Sequence, residues 1–117
     1  MKITLWHNPR CSKSRGALAL LEERGHAPRI VDYQKTPPDA TQLREVLRKL
    51  GLPARALLRT GEALYGELGL ADESLDEDRL VAAMVAHPIL IERPLAVSDS
   101  RAVIGRPPER VLELLDD

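Results

Sequence analysis

The chain has 117 residues, a length that fits one domain able to bury a core without disulfide or metal support. A net charge of −1 excludes a global field for holding nucleic acid, 3% aromatics with no Phe leave no base-stacking platform, and a single Cys excludes a disulfide-stapled secreted domain. No apolar run approaches the length of a membrane span, and the segment from Met1 to His7 turns polar too early for a signal peptide, so the expected address is a reducing cytoplasm.

Taken in order, Lys2 to Trp6 alternates and predicts a strand that Pro9 breaks. Ser12 to Arg24 carries Ala17, Leu18, Leu20 and Leu21 at helical spacing, with Gly25 as a stop. Arg29 to Tyr33 is short and β-branched, a second strand, and strand–helix–strand in so short a span implies a parallel βαβ unit. Thr36-Pro37-Pro38-Asp39 predicts a helix start with Thr36 as the capping hydroxyl. The helix it opens has Leu43, Val46, Leu47 and Leu50 on one face and ends at Gly51. Ala54 to Leu58 reads as a short turn or helix, and Glu62 to Ala71 as a loop with one or two helical turns. Ser74-Leu75-Asp76-Glu77 has the form of a capping box for a helix with Leu80, Val81, Met84 and Val85 inward, closing near His87-Pro88. Leu95 to Val97 and Ala102 to Ile104 predict a hairpin across the turn Ser98-Asp99-Ser100-Arg101. Glu109 to Leu115 predicts a last helix. The pattern describes one α/β domain over 1–117, βαβ then ββα, with a helical insertion at about 38–88 between the halves.

The cysteine falls at the first strand-to-helix turn, in His7-Asn8-Pro9-Arg10-Cys11-Ser12-Lys13-Ser14-Arg15. In open α/β sheets ligands gather outside the carboxyl ends of strands. A thiol at a helix start, with Arg10, Lys13 and Arg15 nearby, has two reasons to ionise: unpaired N–H groups and neighbouring cations. Two readings stand side by side, a reactive thiolate or a small buried hydrophobe. His7 likewise suits a hydrogen-bonded structural residue as well as a modulator of the thiol. The basic residues are 4 Lys and 13 Arg, and Arg binds flat oxyanions with a fixed fork of donors.

The order βαβ then ββα with a cysteine in the first βα turn is the plan of the thioredoxin-like fold. Enzymes of that kind usually carry C-x-x-C, and here Ser14 stands at the second position. Any redox chemistry at Cys11 therefore needs an external thiol, since no intrachain disulfide can form. Other chemistries fit less well. A low-molecular-weight phosphatase needs five residues between cysteine and arginine, whereas Arg15 follows after three. His7, His26 and His87 are dispersed, which gives no metal set, and there is no P-loop.

Four ordered segments make the resemblance specific. They are the nine residues around Cys11, Arg55-Ala56-Leu57-Leu58-Arg59, His87-Pro88-Ile89-Leu90-Ile91-Glu92-Arg93-Pro94, and Ile104-Gly105-Arg106-Pro107-Pro108. Over nearly its whole length the chain resembles the arsenate reductase family of the glutaredoxin-coupled type. The resemblance implies that Cys11 attacks arsenate and that Arg59, Arg93 and Arg106 hold the oxyanion. It implies supporting roles for His7, Ser14, Arg15 and Pro94, the last at the position of a cis-proline. Glutathione would be a co-substrate and glutaredoxin a partner, with no bound cofactor or metal. The expected state is a monomer, because no apolar stripe is left over after the core is assigned. The chain departs from the reductases with Gly-Thr after the cysteine, carrying Ser12-Lys13 as in a related branch of the family. The alternative is a glutathione- or partner-binding regulatory module of the same fold, like the Spx branch, without arsenate turnover; Ser14 argues against a C-x-x-C redox sensor.

Overall fold

In the computed structural model, which describes residues 2–115, the alternation at the start of the chain becomes β1 (Thr4–Trp6) and the apolar stripe after Cys11 becomes α1 (Ser12–Glu23). The chain divides into two compact units, Met1–Thr36 with Arg93–Asp117, and Pro37–Glu92.

The first unit is built on a four-stranded sheet of order β2-β1-β3-β4, with β2 at Arg29–Val31, β3 at Leu95–Val97 and β4 at Ala102–Ile104. β1 runs parallel to β2, pairing Leu5 with Ile30, and antiparallel to β3, pairing Leu5 with Ala96. β3 and β4 form the expected hairpin, closed by the Ser98 N–H donating to the Arg101 carbonyl at 2.8 Å. One apolar cluster holds Ile3, Leu5, Ala17, Leu21, Ala96, Val111 and Leu114, with Leu18 and Leu20 partly covered against it. α1 stops at Arg24 because Gly25 takes φ +83°, a left-handed conformation that costs glycine little.

Two expectations in this unit change. β2 ends at Val31 rather than Tyr33, because the Asp32 carbonyl accepts the N–H groups of Lys35 (3.0 Å) and Thr36 (2.9 Å) and turns the chain out of the sheet. The Tyr33 ring is buried and stacks on Trp6 with centroids 6.2 Å apart. The closing segment starts at Pro108 and is a 3-10 helix (Pro108–Leu115) packed on α1, burying Val111 and Leu114.

The second unit is helical: α2 (Ala40–Leu50), a 3-10 turn (Ala54–Leu57), the short α3 (Ala63–Glu67), α4 (Glu77–Ala86) and a second 3-10 turn (Pro88–Leu90). α2 and α4 pack together, with Leu43, Val46 and Leu47 buried on one and Leu80, Val81 and Met84 on the other; Val85 is only partly covered. Both expected caps shift toward the helix. Asp39, not Thr36, caps α2 in a reciprocal box: its carboxylate accepts the Gln42 N–H at 2.7 Å and the Gln42 side chain accepts the Asp39 N–H at 3.0 Å. Asp76, not Ser74, caps α4 by accepting the Arg79 N–H at 2.9 Å. Ser74 is occupied with Asp72, and Glu77 accepts the Ala54 N–H at 2.9 Å.

Candidate functional site

β1 delivers the chain to the carboxyl end of the sheet, and the next residues form a pinned loop. The Asn8 side chain accepts the Arg10 N–H at 3.0 Å, the Cys11 N–H donates to the Asn8 carbonyl at 3.0 Å, and the Arg15 guanidinium donates to the Pro9 carbonyl at 2.9 Å. Arg15 thus holds the backbone of the loop. Cys11 is the N-cap of α1 with extended dihedrals (φ −95°, ψ 122°), and its carbonyl accepts the Arg15 N–H at 3.0 Å. The thiol is half-buried and free.

Burial pushes the Cys11 thiol up. The N–H groups of Ser14 and Lys13 and the Arg93 guanidinium, by hydrogen bond and by charge, outweigh it and set the net shift downward. The sequence pattern pointed to the side chains of Arg10, Lys13 and Arg15 as the ionising cations. The structure instead brings Arg93 from the far end of the same unit and uses Lys13 through its backbone.

Beneath the loop lies a polar pair that the sequence did not disclose. Ser14 is fully buried and His7 is 6% exposed, with His7 Nδ1 2.6 Å from Ser14 Oγ. The same oxygen accepts the Asn8 N–H at 3.1 Å. Burial lowers the His7 pKa below its ordinary value, opposed by the Asp32 carboxylate and assisted by Arg15. A neutral ring with its proton on Nε2 satisfies all three groups, since Nδ1 then accepts the Ser14 hydroxyl proton. Ser14 is therefore more than a missing thiol; it ties the end of β1 to the first turn of α1.

The Arg93–Pro94 and Arg106–Pro107 peptide bonds are cis. Their two loops are fastened by the Gly105 N–H donating to the Pro94 carbonyl at 2.8 Å and by the Arg106 guanidinium donating to the Arg93 carbonyl at 3.3 Å. Gly105 is required by close approach: a Cβ there would lie 2.8 Å from both Pro94 Cγ and Val111 Cγ1. Cys11, His7, Ser14, Arg15, Arg93, Pro94 and Arg106 thus all belong to one unit. Arg59 belongs to the helical unit. Its N–H donates to the Leu90 carbonyl at 2.8 Å, and its guanidinium pairs with Glu92 at 2.7 Å and Glu62 at 3.1 Å. Among the described residues no group of three or more His, Cys, Asp or Glu could hold a metal ion, and no helix is long and apolar enough to cross a membrane.

A sheet with one parallel and two antiparallel pairings, a thiol at the first helix start and a cis-proline loop define a thioredoxin-like protein with a single cysteine. The family is narrower: residues 6–114 match the ArsC family model, and the chain belongs to that family. It is 53% identical to the uncharacterized protein YfgD of Escherichia coli strain K12 over 97% of each chain. It is 49% identical to an arsenate reductase of Neisseria meningitidis serogroup A, covering 97% of this chain and 98% of that one. Among solved structures, the arsenate reductase from Vibrio cholerae superposes with a TM-score of 0.94 at 50% identity, over 97% of each chain.

Proposed function

We propose that this protein is an arsenate reductase that works through one nucleophilic cysteine, with glutathione and glutaredoxin as reductants. The observation that carries the reading is the Cys11 sulfur at the start of α1, held toward its thiolate by the Lys13 and Ser14 N–H groups and by Arg93. Relatives named arsenate reductase, similar over nearly the whole chain, support the same assignment.

In this scheme the Cys11 thiolate attacks arsenic, forming an S–As bond while an arsenate oxygen leaves as water. Glutathione displaces a second oxygen in the same way. A glutaredoxin thiolate then attacks the glutathione sulfur and makes a mixed disulfide. The electron pair of the broken S–As bond stays on arsenic, which falls from As(V) to As(III). Water cleaves the remaining S–As bond, releasing arsenite and restoring Cys11. Two external thiols become one disulfide, and no second cysteine of this chain takes part, in keeping with Ser14. Arg93 and Arg106 serve as the oxyanion's cations, a task suited to guanidinium forks, and the family resemblance gives Arg59 the same task. His7 and Ser14 hold the loop that presents the thiol, Arg15 pins its backbone, and Pro94 fixes the start of β3. A glutathione-dependent cycle fits a monomer working in a reducing cytoplasm. Purified protein supplied with arsenate, glutathione and glutaredoxin should form arsenite. Turnover that persists in Cys11→Ser would sink the mechanism.

A further inference from the structure

Beside the Cys11 loop, within the same unit, lies a cleft of about 210 Å³ lined by Asn8, Pro9, Arg10, Asp32, Gln34 and Lys35. The turn that ends β2 at Val31 creates its second wall, because it sends Asp32, Gln34 and Lys35 off the sheet edge. The first wall is the strand-to-helix loop, so a ligand in the cleft contacts the residue next to Cys11. Among the described residues, no ion pair neutralises Arg10, Lys35 or Asp32. The cleft therefore offers two cations, one carboxylate and two side-chain amides around one open space.

We infer that this cleft is the docking site for the γ-glutamyl thiol that reduces the Cys11 adduct, an inference that rests on the external-thiol reading above. Glutathione carries two carboxylates, one ammonium and two peptide groups, the charge complement of this lining. Arg10 and Lys35 take the carboxylates, Asp32 takes the ammonium, and Asn8 and Gln34 face the peptide groups. Such contacts give specificity for a thiol that a bare, half-buried sulfur cannot provide. No contact in the cleft depends on arsenic, so the site operates on any glutathione-bearing partner of Cys11.

That independence supplies a test that does not need arsenate turnover. The Cys11 thiolate attacks oxidised glutathione, forming a Cys11–glutathione disulfide and releasing one glutathione thiolate. The rate of this step is measured by mass and divided by the rate with hydroxyethyl disulfide, which has neither charge nor peptide groups. The ratio removes any change in the thiol itself. Lys35→Glu and Arg10→Glu should each lower the ratio about five- to tenfold, the order expected for a charged contact in a solvent-accessible site. Asp32→Asn separates a site from a field. Removing a negative charge speeds every anionic disulfide if only long-range attraction operates, whereas loss of the ammonium contact slows glutathione about threefold or more. A ratio unchanged in Lys35→Glu and Arg10→Glu, or raised in Asp32→Asn, overturns the inference. If the ratios fall as expected and wild-type protein makes no arsenite, the docking site stands and the arsenate reading fails.

Discussion

The two units differ in what they bury. In the helical unit, Pro37–Glu92, the buried side chains are all apolar, and its ion pairs, Arg44–Asp78, Arg48–Glu45 and Arg59 with Glu62 and Glu92, lie at partly or fully accessible positions. In the sheet unit the described buried residues include His7, Ser14 and Ser98. Burying hydroxyls and an imidazole disfavours folding unless each finds a partner, and leucine in those places would pack at no such risk. The sheet unit accepts that risk where its thiol is. There Arg93 favours the ionised form of the Cys11 thiol, and in the helical unit Arg59 pairs with two carboxylates. The contrast in burial separates an apolar core that keeps the fold from a polar one that also supports the thiol loop.

The largest effect expected from breaking that contrast is chemical. Cys11→Ser should lower arsenite formation by more than about a thousandfold, since the alcohol is neither ionised nor nucleophilic at neutral pH. Next come the apolar cores, where the units should behave alike. Leu21→Ala in α1 and Leu43→Ala in α2 each remove a fully buried side chain, and each should cost roughly 2–5 kcal/mol by urea unfolding. A much smaller loss in one of them would mean that its unit is loosely packed.

Ser14→Ala sharpens the comparison, because it removes one oxygen from a buried network and no apolar contact. It leaves the Asn8 N–H and His7 Nδ1 without their partner and should cost about 1–3 kcal/mol. Exposed Thr41→Ala in α2 should stay within about 0.5 kcal/mol of wild type. Arg93→Ala should move the pH midpoint of Cys11 alkylation upward, with Lys restoring part of the charge but not the fork geometry. A midpoint unmoved by Arg93→Ala would remove that arginine from the thiol.

The smallest effect is a pH dependence. His7 has a folded pKa below its ordinary 6.5, so its contribution to stability is full above that value and is lost as pH falls through the folded value. The unfolded chain takes up a proton there that the buried ring refuses. Thermal unfolding of wild type should therefore weaken on acidification below about 6.5 more steeply than that of His7→Asn.

Much of this was legible in the residues. β1, α1 and the β3–β4 hairpin follow from period and turn chemistry, and the placement of Cys11 at the start of α1 follows from them. The caps at Asp39 and Asp76 escaped because Thr36 and Ser74 offer equally good hydroxyls a few residues earlier, and only the realised helix start decides between them. The His7–Ser14 bond escaped for a different reason. Seven positions separate them across a strand end, a loop and a helix turn, a spacing that belongs to no regular element. The cation at the thiol escaped because local sequence crowds Arg10, Lys13 and Arg15 around Cys11, while the sheet brings in Arg93 through β3. The resemblance named Arg93 for the oxyanion, and its lowering of the thiol's pKa came from the structure.

The position of Cys11 as N-cap of α1 has a consequence for how the protein can be watched. Helices usually carry Ser, Thr, Asp or Asn there, and a thiol is a weak substitute until it ionises. Because the folded pKa is depressed, the thiolate's support for the fold is full above the ordinary 9.0 and is lost as pH falls through the folded value. Alkylation, disulfide formation or protonation of the sulfur each removes the negative charge that the Lys13 and Ser14 N–H groups favour. Amide hydrogen exchange at those two positions therefore becomes a running record of the sulfur's chemical state, readable without any label on the thiol.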